Sequence, residues 1–498
     1  MKMLLNPGQA AAVHDFDHDL LVTAGAGTGK TRVLTFKYLT LLKERRVEAP
    51  QIVAVTFTKK AADEMRARIR EGIKSEIETC APGERDFWLR QLEALETAAH
   101  ISTIHGLCYS LLAEHPVEAG LDPGAEVMDE GEVYLLQSEA AEEALHLLLD
   151  GPHGREAAKV VLEQGVPFFT RDLVGIYHTL RESGQSLEEI WRISAENLKH
   201  GLAPVADVKA TFCRSVEDFI VLGNSLPKIT AKAKERLDEL AAGWKPAKTV
   251  IMAAEVLEEE LQAHLDWICS LLPRNTVREL KEPTNEIRAC LETFRKTLVT
   301  KVAGEQLPLI REYLRIFAGE YRRRKEMAGR MDFGDQQILA RDLLTNYPEI
   351  ARSYQERFAY FLFDEVQDTN SLQWEILSKL IYANGVSHSK GRVFLVGDVK
   401  QSIYRFRGAE VEVITELASG FSSDSASNLL GGQGRTLILE ENYRTLRPVA
   451  DVINDLCKPI FSSEDYPFHP LVAVRSDEAA DDPRVEMVIH EERRTEPA

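Results

Sequence analysis

The sequence predicts an α/β fold: one parallel sheet, interrupted by a large helical insert and followed by the start of a second sheet domain. Three observations predict it. Five short apolar runs, Leu20–Thr23, Ile52–Thr56, Tyr360–Phe363, Val393–Val396 and Leu437–Leu439, are β-rich or aromatic and lead into polar or glycine-bearing turns, as buried parallel strands do. Between the second and third runs, from about 110 to 330, the chain is acidic, rich in Leu, Ala and Glu, and apolar at helical spacing. The unusual residues fall just after the strands, where open α/β sheets bind ligands.

The first strand runs into Ala24-Gly25-Ala26-Gly27-Thr28-Gly29-Lys30-Thr31, and a helix carrying Val33, Leu34 and Phe36 follows. Glycines let a backbone wrap an anion with several N–H groups pointing inward, and the next helix adds its positive end. Lys30 is placed to reach β- and γ-phosphates, and the Thr31 hydroxyl to hold Mg²⁺. Ala24 stands where the strict pattern has glycine. The second strand leads into Phe57-Thr58-Lys59-Lys60.

The insert reads as helices, with Glu139–Leu149, Ala231–Ala242 and Ala253–Leu272 as examples, divided by breaks such as Asp150-Gly151-Pro152-His153-Gly154. No internal repeat of 20–50 residues is evident.

Tyr360–Phe363 then runs into Asp364-Glu365-Val366-Gln367-Asp368. Successive side chains at a strand end point in different directions, so adjacent carboxylates can do different jobs. Asp364 would hold Mg²⁺ through water, and Glu365 would orient and deprotonate an attacking water. Alone, such a pair also suits a solvated turn; beside a phosphate loop it completes a nucleotide site.

After Val393–Val396 come Gln401, Tyr404, Phe406 and Arg407 within seven residues. A polar group, two aromatic faces and a cation suit a segment that meets phosphate on one side and bases on the other. The alternative, that both rings are core, fits poorly with their alternation with Arg405 and Arg407. Ser419–Gly434 reads as a flexible crossing between domains. The residues after Asp477 read as an end cut through a domain.

Composition bounds these readings. The 498 residues suffice for roughly three domains. A hydrophobic share of 44% with 28% charged residues suits a globular protein with a sizeable core. No apolar run is long enough for a membrane span, and the N-terminus does not read as a secretory signal. The six cysteines are scattered, with no C-x-x-C pair, which favours reduced thiols in a cytoplasmic protein over a disulfide or metal framework. The net charge of −19 does not exclude a nucleic-acid partner, because residues 1–70 carry 12 Lys/Arg against 7 Asp/Glu.

The motifs together resemble those of superfamily 1A DNA helicases, of the UvrD/Rep/PcrA and RecB/AddA kind. Asp364-Glu365-Val366-Gln367-Asp368 is similar to their motif II, and Asn6-Pro7-Gly8-Gln9 to the Q motif. Residues Thr56 to Met65 resemble motif Ia, Ser102-Thr103-Ile104-His105 the T-x-H segment, Val396 to Ala409 motif III, and Glu441-Asn442-Tyr443-Arg444 motif IV. The spelling of Gly397 to Arg407 and the segment Met331-Asp332-Phe333-Gly334-Asp335 favour the AddA/RecB branch.

This resemblance implies a RecA-like P-loop NTPase motor using ATP and Mg²⁺. Motor domain 1A would comprise 1–110 and 325–430, helical domain 1B 111–324, and the beginning of domain 2A 431–498. Gln9 and Tyr443 would meet adenine, Gln401 and Arg444 the γ-phosphate. Phe57, Thr58, Thr103, His105, Tyr404, Phe406 and Arg407 would meet DNA. Phe406 stands where relatives often have Trp, and Leu107 where they often have Phe; a lone histidine such as His105 serves equally well as a structural group.

The resemblance further implies 3′ to 5′ movement on single-stranded DNA or from duplex ends, in double-strand-break repair, with an AddB-like partner. The last motor motifs and a nuclease domain are not found, which predicts a truncated chain with ATP binding and slow hydrolysis. A UvrD/Rep-like repair translocase and a non-catalytic ATP-gated DNA-binding fragment are the competing readings.

Overall fold

The computed structural model describes residues 5–182, 184–201, 204–227, 229–254, 256, 258–272, 278–382, 391–405, 408–422, 434–461 and 468–475. The chain forms two compact units: residues 1–134, 181–184 and 325–498, and residues 135–180 and 185–324.

The first unit is built on a six-stranded sheet. In chain order its strands are β1 (Asp19–Ala24), β2 (Ile52–Thr56), β3 (His100–Thr103), β6 (Tyr360–Phe363), β7 (Val393–Gly397) and β8 (Gly434–Leu439), with β4 (Glu126–Val127) and β5 (Arg330–Met331) forming a separate parallel pair. The sheet order is β3-β2-β6-β7-β1-β8, and every pairing is parallel. Parallel neighbours need crossover connections, and helices supply them.

These helices cover both faces of the sheet, which explains the unbroken apolar runs. Leu21, Val53, Val55, Phe361, Phe363 and Leu395 enter one core. Their neighbours Leu20, Val22, Ile52, Ala54, Leu362, Phe394 and Val396 enter the other. The two-residue period of a strand divides each run between the two cores.

Two features differ from the sequence expectation. His100–Thr103 is a sixth strand; it lies at the sheet edge, and its residues alternate between polar and apolar. The domain boundary expected at residue 431 falls at the sheet itself, since β8 pairs with β1 from Asp19↔Gly434 to Ala24↔Leu439. Beyond it, β9 (Glu441–Leu446), the helix Arg447–Cys457 and β10 (Val472–Arg475) make a small parallel β-α-β unit.

The helices that position the site are α1 (Pro7–His14), α2 (Lys30–Glu44), α3 (Lys59–Thr79), α4 (Arg85–Thr97) and α5 (Ile104–Glu114). Each of α1, α3 and α5 starts at a side-chain cap: Asn6 on Gln9 N, Thr58 on Ala61 N and Thr103 on Gly106 N.

The second unit is helical. Its core packs Phe212, Val216, Leu240, Leu265, Ile268 and Phe294, with Phe212 and Phe294 stacked 5.8 Å apart. Tyr313, Phe317 and Tyr321, four residues apart along the helix Arg278–Ala328, stack in a row. The break at Asp150–Gly154 separates helices Glu130–Leu149 and Gly154–Gln164. The single helix expected over Ala253–Leu272 is instead two pieces: one helix ends at Ala253, Ala254 and Glu258 are extended, and the next starts at Glu259. The acidic residues there favour a helix start, where negative charge meets the positive end of the dipole. Ser419 to Ser422, expected in a flexible crossing, close the helix Val411–Ser422; residues 423–433 lie outside the described residues. Among the described residues no helix is long and apolar enough to cross a membrane.

Candidate nucleotide and nucleic-acid site

Strand β1 ends at Ala24, and the chain turns through Gly25–Gly29 into α2. Gly27 and Gly29 hold φ of +78° and +89°, a left-handed backbone that side chains resist. A Cβ on Gly27 would also sit 2.8 Å from Arg444 Cβ and 2.9 Å from Asn442 Oδ1. No side chain caps the start of α2, so its first N–H groups face the loop uncapped. Lys30 and Thr31 are the first two residues of that helix.

From Lys30 a closed ring of hydrogen bonds crosses three strand ends. Lys30 Nζ donates to Glu365 Oε2 at 2.6 Å and to Gln401 Oε1 at 3.0 Å. Gln367 Nε2 donates to Glu365 Oε2 at 2.8 Å, while Gln367 Oε1 accepts from Asp398 N at 3.0 Å. Gln401 Nε2 donates to Asp398 Oδ2 at 2.7 Å, which closes the circuit. Gly397 makes room for it, since a Cβ there would lie 2.7 Å from Gln367 Oε1.

Asp364 lies beside the ring, 8% exposed, with Thr31 Oγ1 donating to its Oδ2 at 3.4 Å. Burial, then the neighbouring charge of Glu365, raises its carboxyl to about 6. The same causes raise Asp368 to about 6, and its Oδ1 is buried without a hydrogen bond among the described residues. Glu365 itself has φ of +52°, rare for a residue with a side chain. Crowded, desolvated carboxylates next to a threonine hydroxyl suit a hard divalent cation with oxygen ligands.

The segment after β8 lies over the glycine loop. Tyr443 N donates to Gly27 O at 2.9 Å, and Asn442 Nδ2 to Ala26 O at 2.6 Å. Asn442 Oδ1 accepts from Arg444 N and Thr445 N, at 2.9 and 2.7 Å. Arg444 is exposed, with its Cβ above Gly27. Gln9, fully buried, donates to Thr28 O at 3.0 Å, so the Q-motif side chain braces the loop. Asn6 Nδ2 reaches Glu441 Oε2 and Tyr443 OH, at 2.8 and 2.9 Å, and gathers both ends of the chain at one edge of the site.

The residues assigned to DNA sit at the same sheet end. The rings of Phe57, just past β2, and Tyr404, in the segment after β7, stand 4.6 Å apart at 32°. Thr58 and Thr103 cap helices with their hydroxyls. His105 Nε2 lies 2.8 Å from Gln337 Nε2, and burial lowers its pKa, favouring the neutral ring. Phe406 and Arg407 lie outside the described residues.

With this geometry established, comparison with known proteins decides the family. The model of the UvrD/REP helicase N-terminal domain matches residues 5–422. The chain belongs to that family. It is 28% identical to the AddA subunit of the ATP-dependent helicase/nuclease from Acetivibrio thermocellus, over 91% of this chain and 39% of that protein. The corresponding proteins from Streptococcus sanguinis and Syntrophomonas wolfei are 25% and 28% identical, each over 92% of this chain and 39% and 38% of their own lengths. The chain thus spans about two fifths of the curated relatives it matches.

Within this UvrD/REP-type domain the structure brings together Lys30, Thr31, Asp364, Glu365 and Gln401, and lays Tyr443 and Arg444 along the glycine loop. Sequence reasoning gave no role to Gln367, Asp398 or Asn442, although all three stand inside the quoted motifs. Their partners come from distant strands, so no local pattern announces them.

Proposed function

We propose that this chain is the ATP-binding half of a DNA helicase or translocase motor of the AddA type. The observation that carries the reading is the ring joining Lys30, Glu365 and Gln401 beside the Thr31–Asp364 pair, below a glycine loop. ATP is the substrate such a cradle suits. The loop amides and Lys30 would receive its β- and γ-phosphates, since the ammonium has three donors and the ring uses two.

Thr31 and Asp364 would hold Mg²⁺, whose charge, when bound, offsets that on the phosphate oxygens. Glu365 orients the attacking water and takes its proton. Gln401 stands between Lys30 and Asp398 and would register the γ-phosphate. Arg444, placed over Gly27, would add positive charge during transfer, a contribution worth ~10³–10⁵ in rate where an arginine is so placed.

Phe57 and Tyr404 supply stacking faces for single-stranded DNA, independent of base identity. Family resemblance supports 3′ to 5′ movement. The relatives are named as one component of a helicase/nuclease, which supports a companion protein, here AddB-like. The helical second unit is assigned as domain 1B, and the β9–helix–β10 unit as the opening of domain 2A.

Lys30→Ala should lower ATP hydrolysis by at least a hundredfold and weaken nucleotide binding. Glu365→Gln should stop hydrolysis while Mg²⁺-dependent ATP binding persists. Single-stranded DNA should stimulate the parent chain. Normal turnover by either variant would refute the assigned chemistry, and ATPase indifferent to DNA would favour a simple nucleotide-gated module.

A further inference from the structure

A second feature of the first unit lies at the end of β3, away from the nucleotide ring. A cavity of about 570 Å³ opens there, lined by Thr103, His105, Tyr109, Asp129, Phe333 and Gln336 among others. That volume lies within the range of small-ligand pockets.

Its lining is unusual in two ways. Phe333 leaves 52% of its surface exposed and Tyr109 leaves 40%. Gln336 is 3% exposed, yet its Oε1 has no hydrogen-bond partner among the described residues. A buried amide oxygen left unmatched costs free energy comparable to a lost hydrogen bond, so a donor arriving in the cavity would be well received.

Phe333 is held in place. It opens the helix Phe333–Asn346, whose start is fixed by a capping box between Asp332 and Asp335. Lys325 Nζ donates to Asp332 Oδ2 at 3.0 Å and Asp335 Oδ2 at 2.5 Å; Arg181 donates to the same pair at 3.2 and 2.6 Å. Four charged groups are thus committed to one turn, and the ring beyond it packs edge-on against His105, centroids 5.8 Å apart.

We propose that this cavity takes a nucleobase of single-stranded DNA, stacked on Phe333 and donating its exocyclic amino group to Gln336 Oε1. The proposal rests on the DNA-motor reading and extends its track. Strands β2 and β3 are neighbours, with Thr56 opposite Thr103. Residues just past their ends, Phe57 and the Thr103–His105 turn, therefore lie side by side along one sheet edge, and β3 is the outermost strand. A strand of DNA crossing the Phe57–Tyr404 pair toward this edge reaches the cavity next. Aromatic faces with a neutral imidazole suit a base, and Asp129 at the rim disfavours a phosphate.

The test uses the full chain and fluorescently labelled oligodeoxycytidylate, whose bases carry the required amino group. Phe333→Ala should weaken binding about tenfold, from loss of one stacked base. Phe333→Leu, which keeps apolar volume without an aromatic face, should do the same, while Phe333→Trp should restore parental affinity. A 5-iododeoxycytidine probe should photocrosslink to Phe333 or Tyr109. Phe57→Ala is the control for the DNA reading itself. If Phe57→Ala weakens binding while Phe333→Ala and Phe333→Leu bind like the parent, or crosslinks form only at Phe57 and Tyr404, the cavity is not a base site. If the parent chain binds no DNA, the underlying reading fails as well.

Discussion

Gln367 and Asp398 touch no phosphate in this arrangement, yet each holds a group that would. Gln367 fixes the carboxylate of Glu365 from one side while Lys30 holds it from the other. A general base must stay aligned with its water, and misplacement by ~1 Å can cost on the order of 10²-fold. Gln367→Leu should therefore lower kcat by about ten- to a hundredfold with a small change in KM for ATP, the signature of a positioning residue. Equal losses in binding and turnover would show that it only supports the fold. Asn442 makes a second residue-level prediction. It is fully buried and satisfies Ala26 O, Arg444 N and Thr445 N at once. Asn442→Ala leaves those groups unmatched and should destabilise the nucleotide loop by about 2 kcal/mol or more. Protease cleavage between Gly434 and Leu446 should then become faster in the absence of nucleotide; parental resistance would contradict the latch.

Among the elements, the start of β1 carries a pH-dependent contact with β7. Asp19 Oδ1 accepts from Val393 N at 3.0 Å inside the sheet. Burial, opposed in part by that hydrogen bond and by Arg392, raises its carboxyl from the ordinary 3.8 to about 6. Between those values the folded chain keeps a proton that the unfolded chain has released, so Asp19 subtracts stability as pH rises from about 4 to about 6, and its full cost is present above 6. Two pH units correspond to about 3 kcal/mol. Asp19→Asn keeps the acceptor without the charge, and Arg392 retains the carbonyls of Gln355 and Ala359. The variant's melting temperature, measured against the parent's, should therefore rise between pH 4 and 6; a constant difference would remove Asp19 from the account. The same strands show why much of the fold was legible. β1, β2, β6 and β7 are buried on both faces, so their sequences are unbroken apolar runs followed by the residues of the site. β3 reads His-Ile-Ser-Thr because it is a half-covered edge strand, and only its pairing with β2 identifies it. β8 was legible as a strand but not as a member of the first sheet, because membership depends on its register with β1 and not on its own residues. In the site, Lys30, Thr31, Asp364, Glu365 and Gln401 were legible from their loops. The cavity at Phe333 and Gln336 was not, since it joins α5, the β4 neighbourhood and the helix after β5.

At the scale of the whole molecule, the nucleotide ring and the base-stacking pair meet in one short stretch of chain. Gln401 accepts from Lys30, and three residues later Tyr404 places its ring against Phe57. Ser402, between them, donates to Gln367 O at 3.3 Å and ties the stretch to the motif that carries Glu365. A γ-phosphate that draws Lys30 away from Gln401 would release one end of this stretch, and the displacement has three residues to travel before it changes the gap between two rings. Coupling of this kind is reciprocal: the factor by which a non-hydrolysable ATP analogue changes single-strand affinity must equal the factor by which DNA changes nucleotide affinity. For coupled sites that factor is typically about 5–150. Titrations from both directions should give one common value in the parent chain, and Gln401→Ala should bring it close to one, because the stretch loses its hold on Lys30. A factor retained in Gln401→Ala would mean that the signal passes elsewhere, and the connection through Ser402 and Tyr404 would have to be abandoned.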